Sequence, residues 1–238
     1  MMSSNINIVL VNTSHPGNIG STARAMKTMG LNQLTLVSPK DFPSKIANAK
    51  AVGCTDILDN AKVTSLLSDA VCNSKLIVGF SARSRKSNIP SLSIDDLNKL
   101  LSRYDDEVSI VFGNEQSGLS NEDLRLCNYI VTIPTDKAYS SLNLAFAVQI
   151  FSYEFFKFRN SESKTINKID ADIAKQSTKN HLIEVFLSIM TDLNIITDQN
   201  KRSLTQNIYI IFNKLNINDN EANLFLGVLN SVKKALKK

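Results

Sequence analysis

Residues 6–30 read INIVLVNTSHPGNIGSTARAMKTMG, an apolar run that leads through a polar loop into a helical pattern. Ile6–Val11 is apolar with one polar break, which is typical of a buried parallel strand. Ile19 and Ala23 then lie on one face of an expected helix, and Gly30 is expected to close that helix. A strand followed directly by a helix begins a βαβ unit, so this stretch predicts an α/β fold.

Four further apolar runs have the length of strands, and helical patterns separate them. The expected strands cover residues 34–37, 75–80, 108–112 and 129–133, and the expected helices cover residues 45–51, 64–70, 94–102, 121–127 and 141–158. Ser120 and Asp123 have the spacing of a capping box at the start of one helix. Because alternating strands and helices form a mostly parallel sheet covered on both faces, we expect an α/β domain over residues 1–160.

The pattern changes after residues 160–168, a polar segment that is typical of a linker. Three apolar series at helical spacing follow it, and no strand pattern interrupts them. We therefore expect a small all-helical domain from about residue 170 to residue 238. The apolar faces of its helices are expected to pack against one another or against another subunit.

The composition argues against several classes of protein. No apolar run approaches the roughly 20 residues that span a bilayer, and the N-terminus lacks the pattern of a signal peptide. Cys54, Cys72 and Cys127 form no CxxC pair, so we expect neither a metal site nor a disulfide, and a reducing cytoplasm is the simplest location. Residues 164–238 carry most of the net charge of +5, which suits either a polyanionic partner or the C-terminal dipoles of helices.

Three polar loops follow expected strands, within residues 12–24, 112–119 and 133–145. Because the carboxyl ends of parallel strands meet at one edge of a sheet, these loops are expected to form one composite ligand site. Gly17 and Gly20 are expected to let the backbone approach a ligand, and the amides at a helix N-terminus favour an anion. The chain has neither the G-x-G-x-x-G fingerprint nor a Walker motif.

Single side chains in these loops allow two interpretations each. His15 is either a general base, because imidazole titrates near neutral pH, or a residue that bonds to the backbone. Glu115 either neutralises a basic group or fixes its loop by accepting amide hydrogen bonds. Ser140 and Ser141 are either ligand contacts or caps of the next helix, and Asn143, expected within that helix, offers both a donor and an acceptor.

A cationic cluster follows the expected strand at residues 75–80. Arg83, Arg85 and Lys86 lie within four residues of one another. Such a cluster can hold a phosphate backbone, and it can equally be a solvated loop. Its position beside the other loops favours neither interpretation over the other.

Taken together, these segments resemble the motifs of a known family, the SpoU/TrmH branch of the SPOUT RNA 2′-O-ribose methyltransferases. The matching segments are residues 12–30, 81–85, 112–119 and 139–145, in the same order. The resemblance is dense over residues 5–158 and looser in the helical tail. It implies a SPOUT α/β fold whose C-terminal part is tied in a trefoil knot, S-adenosylmethionine held in that knot, and homodimers with sites near the subunit interface.

The resemblance also implies roles for individual residues. Arg24 would be the central catalytic residue, with Asn12, Ser141 and Asn143 beside it, and Arg24, Arg83 and Arg85 would contact RNA. No metal is implied. The cofactor pocket would comprise Phe80, Ser81, Ala82, Gly113, Glu115, Ile133, Ser140, Ser141 and Leu142.

The form Tyr-Ser-Ser-Leu-Asn at residues 139–143 is similar to that of tRNA-directed members of the family. It implies 2′-O-methylation of cytidine or uridine at nucleotide 32 of the anticodon loop, with the helical tail binding RNA, supporting the dimer or both. An rRNA 2′-O-methyltransferase is the alternative within the same class. A non-catalytic RNA-binding dimer is the alternative of another class.

Overall fold

The computed structural model describes residues 5–82, 89–161, 173–215 and 217–236. Within this part of the chain, seven strands form one sheet in the order β3-β2-β1-β6-β4-β7-β5, and every neighbouring pair is parallel. The strands are β1 (Ile6–Val11), β2 (Gln33–Val37), β3 (Lys62–Thr64), β4 (Leu76–Phe80), β5 (Ser91–Leu92), β6 (Val108–Phe112) and β7 (Tyr129–Val131).

Among the described residues, helices connect the strands and four more helices follow the last strand. They are α1 (Pro16–Thr28), α2 (Lys45–Ala51), α3 (Thr55–Asp59), α4 (Leu67–Ala70), α5 (Ile94–Leu101), α6 (Asn121–Arg125), α7 (Leu144–Ser161), α8 (Gln176–Asp192), α9 (Lys201–Lys214) and α10 (Asp219–Ala235). The α/β class, the mostly parallel sheet and the helical tail are confirmed. The trefoil knot and the division into two domains stay predictions.

The five expected strands are present, and the differences lie at the edges of the sheet. The short edge strands β3 and β5 were not expected, because each has only two or three residues and is partly exposed. The expected helix at residues 64–70 is wrong at its start, since Thr64 belongs to β3 and α4 begins at Leu67. The helix α3 was also missed. The capping box of Ser120 and Asp123 is confirmed at α6.

The core lies on both faces of the central strands. The strands β1, β4 and β6 are buried along their whole length. Alternate residues of β1 point to opposite faces, so Ile8 belongs to one hydrophobic cluster and Val9 to the other. Burial on both faces explains why these strands are continuous apolar runs in the sequence.

Gly20 permits a close contact between α1 and α2. A Cβ atom at this position would lie 2.0 Å from the backbone oxygen of Ala47. A Cβ at Gly17 would lie 2.9 Å from the imidazole ring of His15. The expectation that these two glycines admit a ligand is therefore wrong, because the space beside each is taken by the protein itself.

The helical tail is anchored to the sheet domain through buried amides. Asn213 of α9 donates to the carbonyl oxygen of Arg125 at 2.6 Å, and its own carbonyl oxygen accepts from Asn128 at 2.7 Å. Gln176 of α8 donates to Oδ1 of Asn213 at 3.0 Å. These contacts fix α8 and α9 against the amino end of β4, because Asn128 also accepts from the backbone N–H of Ile77.

None of the described helices is long and apolar enough to cross a membrane.

The close contact at Gly20 predicts that adding a single methyl group at this position destabilises the fold. Gly20→Ala should lower the free energy of unfolding by about 2–3 kcal/mol, because a rigid backbone atom occupies the position of the new Cβ. Gly227→Ala is the matched control: nothing lies within 4 Å of the new Cβ in the middle of α10, and stability should rise by about 0.5–1 kcal/mol. Urea denaturation of both variants measures the difference, and equal effects would contradict the assigned packing.

Candidate cofactor pocket and catalytic loops

One pocket opens at the carboxyl edge of the sheet, where the loops after β4, β6 and β7 meet the start of α7. Its volume is about 340 Å³. All nine residues expected to form the cofactor pocket line it, and their role in binding stays a prediction. They are Phe80, Ser81, Ala82, Gly113, Glu115, Ile133, Ser140, Ser141 and Leu142.

Aromatic rings from two strand ends support the inner wall of the pocket. The rings of Phe80 and Phe112 stack with centroids 4.7 Å apart, and Phe151 of α7 meets Phe80 edge-on at 5.5 Å. The rim carries hydroxyl and amide groups, among them Ser140 and Ser141. A pocket with an apolar wall and a polar rim can accept the flat base of a nucleoside and hydrogen-bond its hydroxyl groups.

Glycines close the loop that forms one wall. The backbone N–H of Gly118 donates to the carbonyl oxygen of Asn114 at 2.8 Å, and Gly118 has a φ of +68°. A Cβ on Gly113 would lie 2.2 Å from the backbone of Gly118. Both positions therefore require glycine, because the loop folds back on itself within six residues.

Glu115 ties this loop to the loop after β1. Its carboxylate accepts from the backbone N–H and the hydroxyl of Ser14 at 2.9 and 2.8 Å, from the backbone N–H of His15 at 3.2 Å, and from Nδ2 of Asn18 at 2.8 Å. Partial burial opposes ionisation, but the hydrogen bonds from Asn18 and Ser14 outweigh it and lower the pKa of Glu115. The geometry thus agrees with the interpretation that Glu115 fixes its loop, at the border of the pocket.

Asn143 extends this connection to the third loop. Its Nδ2 donates to Oδ1 of Asn18 at 3.0 Å, and its Oδ1 accepts from the backbone N–H of Ala145 at 2.9 Å. Asn143 is therefore the N-cap of α7, and the expectations that this helix begins at residue 141 or that a serine caps it are wrong. Ser140 and Ser141 precede the helix and are free to face the pocket.

Asn18 is the residue that sequence reasoning missed. It joins Glu115 and Asn143, so one side chain connects all three loops. The sequence does show an amide side chain, which can both donate and accept hydrogen bonds, in the first turn of a helix that follows a strand. The sequence alone does not say which of several loop asparagines occupies that position.

His15 and Asn12 shape the first loop through hydrogen bonds that involve the backbone. Nδ1 of His15 accepts from the backbone N–H of Gly17 at 3.0 Å, which makes His15 the N-cap of α1 and agrees with the backbone-bonding interpretation. Asn12 has a φ of 52°, and its carbonyl oxygen accepts from Nδ2 of Asn114 at 2.6 Å. Asn12 is not among the described residues that line the pocket.

Arg24 is exposed on α1, six residues or about 9 Å along the helix axis beyond Asn18. Among the described residues, none bonds to its guanidinium, and Arg24 is not part of the pocket lining. Arg83 and Arg85 lie outside the described residues. The described residues also contain no group of three His, Cys, Asp or Glu side chains that could hold a metal ion.

The hydrogen bonds of Glu115 predict a stability effect that depends on pH. Glu115→Gln should lower the free energy of unfolding at pH 7 by about 1–2 kcal/mol, a value reduced for partial exposure. A lowered pKa stabilises the folded chain above the ordinary value of 4.5, and this contribution is lost as the pH falls through the lowered value. Urea denaturation at pH 7 and at lower pH should therefore give a smaller difference in acid. Glu122→Gln, on the exposed start of α6, is the control, and an equal effect there would contradict the assignment.

Comparison with known proteins gives the context of this geometry. The TrmJ tRNA (cytidine/uridine/adenosine-2′-O-)-methyltransferase of Pseudomonas aeruginosa is 36% identical over 249 residues, covering 98% of this chain and 95% of that protein. The TrmJ of Photorhabdus laumondii is 36% identical over 241 residues and covers both chains completely. The crystal structure of TrmJ from Z. mobilis ZM4 superposes with a TM-score of 0.87 at 27% identity, covering 95% of this chain and 98% of that one.

The family model for the SpoU rRNA Methylase family matches residues 5–153, which include the whole sheet and the loops after β1, β4, β6 and β7. The resemblance expected from the loop motifs is thereby confirmed, and the chain belongs to the SpoU methylase family.

Proposed function

We propose that this chain transfers a methyl group from S-adenosylmethionine to a ribose 2′-hydroxyl of tRNA, at nucleotide 32 of the anticodon loop. The observation that carries the proposal is the pocket at the carboxyl edge, where Glu115, Asn18 and Asn143 join two of the lining loops, those after β6 and β7, to the loop after β1. Relatives named as tRNA 2′-O-methyltransferases match along nearly the whole chain, which supports tRNA as the substrate.

The residues of the pocket fit S-adenosylmethionine. The wall around Phe80 and Ile133 suits the adenine ring, and Ser140 and Ser141 offer partners for polar groups of the cofactor. When bound, the cofactor supplies a methyl group already activated by a sulfonium. The task of the protein is then to align this group with the acceptor oxygen, which is a matter of position more than of acid–base strength.

The three-loop connection performs this alignment. Glu115 holds the loop after β1 and accepts a hydrogen bond from Asn18. Asn18 in turn accepts from Asn143, which caps α7 close to Ser141. Each member is held by at least one hydrogen bond from another loop, so the pocket rim is ordered before the substrate arrives. Preorganisation of this kind lowers the entropic cost of the reactive geometry.

Arg24 is proposed as the group that stabilises the developing charge on the 2′-oxygen and binds the adjacent phosphate. Guanidinium groups stay protonated in proteins, so a second group or the phosphate itself takes the proton. The fork of the guanidinium can hold two oxygen atoms at once, which a lysine cannot.

A homodimer would complete the site. Arg24 lies outside the pocket lining of a single chain, and α7 exposes Phe146 and Tyr153, which are 66% and 50% exposed beyond the pocket. Exposed aromatic side chains are enriched at protein interfaces. We place the main dimer contact on this face of α7, and the reaction in the cytoplasm, where tRNA is available.

Besides Arg24, two regions of the chain are proposed to contact tRNA. Arg83 and Arg85 are proposed to bind phosphates near the reacting ribose, and the positive charge of residues 164–238 is proposed to attract the rest of the tRNA. Phosphate contacts of this kind weaken with added salt, so binding should follow the ionic strength.

The function is tested by transfer of labelled methyl groups from S-adenosylmethionine to unmodified tRNA, with the product mapped. Wild-type protein should label the ribose of nucleotide 32, and Arg24→Ala should lose at least 100-fold in turnover. Arg24→Lys should also remain at least tenfold below wild type. Arg103→Ala, an exposed arginine after α5, is the control and should be unaffected. Label in rRNA alone would favour the rRNA alternative, and absence of cofactor binding would exclude a methyltransferase.

Asn143 has two roles, since it caps α7 and also donates to Asn18. One substitution should remove the second role and keep the first. Asn143→Asp keeps an acceptor for the N–H of Ala145 but removes the donor to Asn18. The variant should retain its thermal unfolding midpoint within a few degrees and lose about tenfold or more in turnover, because the rim of the pocket is no longer aligned. Calorimetry and the transfer assay measure the two quantities. Unchanged turnover would show that the link is not needed.

A further inference from the structure

A second cavity lies at the amino edge of the sheet, away from the cofactor pocket at the carboxyl edge. Its volume is about 210 Å³. Its walls come from the starts of β4 and β7, from Tyr104 after α5 and from the end of α9. The cavity therefore lies between the sheet and the helical tail, and the proposed methyl transfer does not use it.

The polar groups that remain available around this cavity are hydrogen-bond donors. Ammonium groups come from Lys75, just before β4, and from Lys214, at the end of α9. Hydroxyl groups come from Tyr104 and Tyr129. Lys75 donates to the carbonyl oxygen of Ile173, which uses one of the three N–H donors of its ammonium group. Among the described residues, none bonds to the ammonium of Lys214 or to either hydroxyl.

Tyr104 is the most deeply buried of these donors. Its side chain lines the cavity although the residue is only 8% exposed. Burial, together with the nearby Tyr129, raises the pKa of Tyr104 to about 12, so the hydroxyl keeps its proton at neutral pH. A buried polar group is costly without a hydrogen-bond partner, and here the partner has to come from within the cavity.

The positive charge at this edge of the sheet is not balanced by ion pairs. Lys179 of α8 is 1% exposed, and burial together with the charge of Lys75 lowers its pKa to about 8. Lys75, Lys179 and Lys214 form no ion pair with a described carboxylate. Glu107, near the same edge, instead accepts from the hydroxyl of Ser74 at 3.1 Å. An anion in the cavity would therefore offset the repulsion between the lysines.

We infer that this cavity binds a small phosphate-bearing anion, either inorganic phosphate or a phosphate monoester. Ammonium and hydroxyl groups donate strong hydrogen bonds to charged oxygen atoms. The amides of Asn128 and Asn213 also line the cavity, but they are already hydrogen-bonded within the protein, so they offer little to a neutral ligand. Donors from four separate positions suit a tetrahedral phosphate better than a planar carboxylate, and the volume leaves room for a small attached group.

A polynucleotide strand fits this cavity less well than a small molecule. A phosphodiester carries a nucleotide on each side, so its binding site is a groove that follows the strand. This cavity instead has the sheet on one side and the tail on the other. A small ligand that contacts both Lys75 and Lys214 joins the two parts of the chain, and its binding should stabilise their contact.

Calorimetric titration of the full chain with inorganic phosphate, at constant ionic strength, tests the site. Wild-type protein should bind phosphate, and Lys214→Gln should weaken the binding about tenfold or more, because a charge-assisted hydrogen bond is lost. Lys201→Gln is the matched control, since Lys201 is exposed at the start of the same helix and does not line the cavity. Absence of binding to the wild type, or an equal loss in the two variants, would overturn the inference.

A second substitution tests the buried hydroxyl. Tyr104→Phe keeps the ring and removes the donor, so it should weaken phosphate binding about fivefold while far-UV circular dichroism stays unchanged. Tyr209→Phe, on α9 but not part of the cavity lining, is the control and should bind phosphate as the wild type does. An unchanged affinity in Tyr104→Phe would contradict the assigned site.

Competition experiments identify the source of the phosphate. Glycerol phosphate should displace inorganic phosphate if the site accepts monoesters, and failure to do so would restrict the ligand to inorganic phosphate. S-adenosylhomocysteine should leave phosphate binding unchanged, because it is expected in the other pocket. Displacement of phosphate by tRNA would assign the cavity to the RNA interface and overturn it as a small-molecule site. None of these measurements depends on methyl transfer.

Discussion

The carboxylate of Glu115 is the constraint on which the site depends. It gathers hydrogen bonds from two backbone N–H groups, a hydroxyl and an amide of the loop after β1. These donors lie at a strand end and at the N-terminus of α1, where backbone N–H groups lack helical partners. One carboxylate therefore satisfies groups that would otherwise need water, and it holds the loop after β1 against a loop that lines the pocket. Through Asn18 the same constraint reaches Asn143 and the start of α7.

The sheet brings the loops of the site close to one another. Three parallel strands that are buried along their length bring their carboxyl ends to one edge, and the stacked rings of Phe80 and Phe112 seal that edge from below. Tight backbone contacts at Gly20 and Gly113 hold the neighbouring helix and loop without side chains between them. The loops can be short because the scaffold already carries them to within hydrogen-bond reach of one another.

The sequence predicts the central strands well and the partners of side chains poorly. β1 and β6 were expected with their observed bounds, since burial on both faces leaves an unbroken apolar run. β3 and β5 were missed because short edge strands carry no such pattern. The pocket lining followed from the family resemblance, but the connection of the loops through Asn18 did not. This connection depends on which amide meets Glu115 across the fold, about 100 residues away in the chain, and local sequence patterns do not contain that information.

The buried amides around Asn213 attach the helical tail at the edge of the sheet opposite the pocket. α8 begins against the segment just before β4, where the backbone N–H of Gln176 donates to Ser74, and the pocket lies where β4 ends. The five residues of β4 separate these edges by about 16 Å. None of the described residues that line the pocket belongs to α8, α9 or α10, so the pocket is built by the sheet, its loops and α7 without help from the tail.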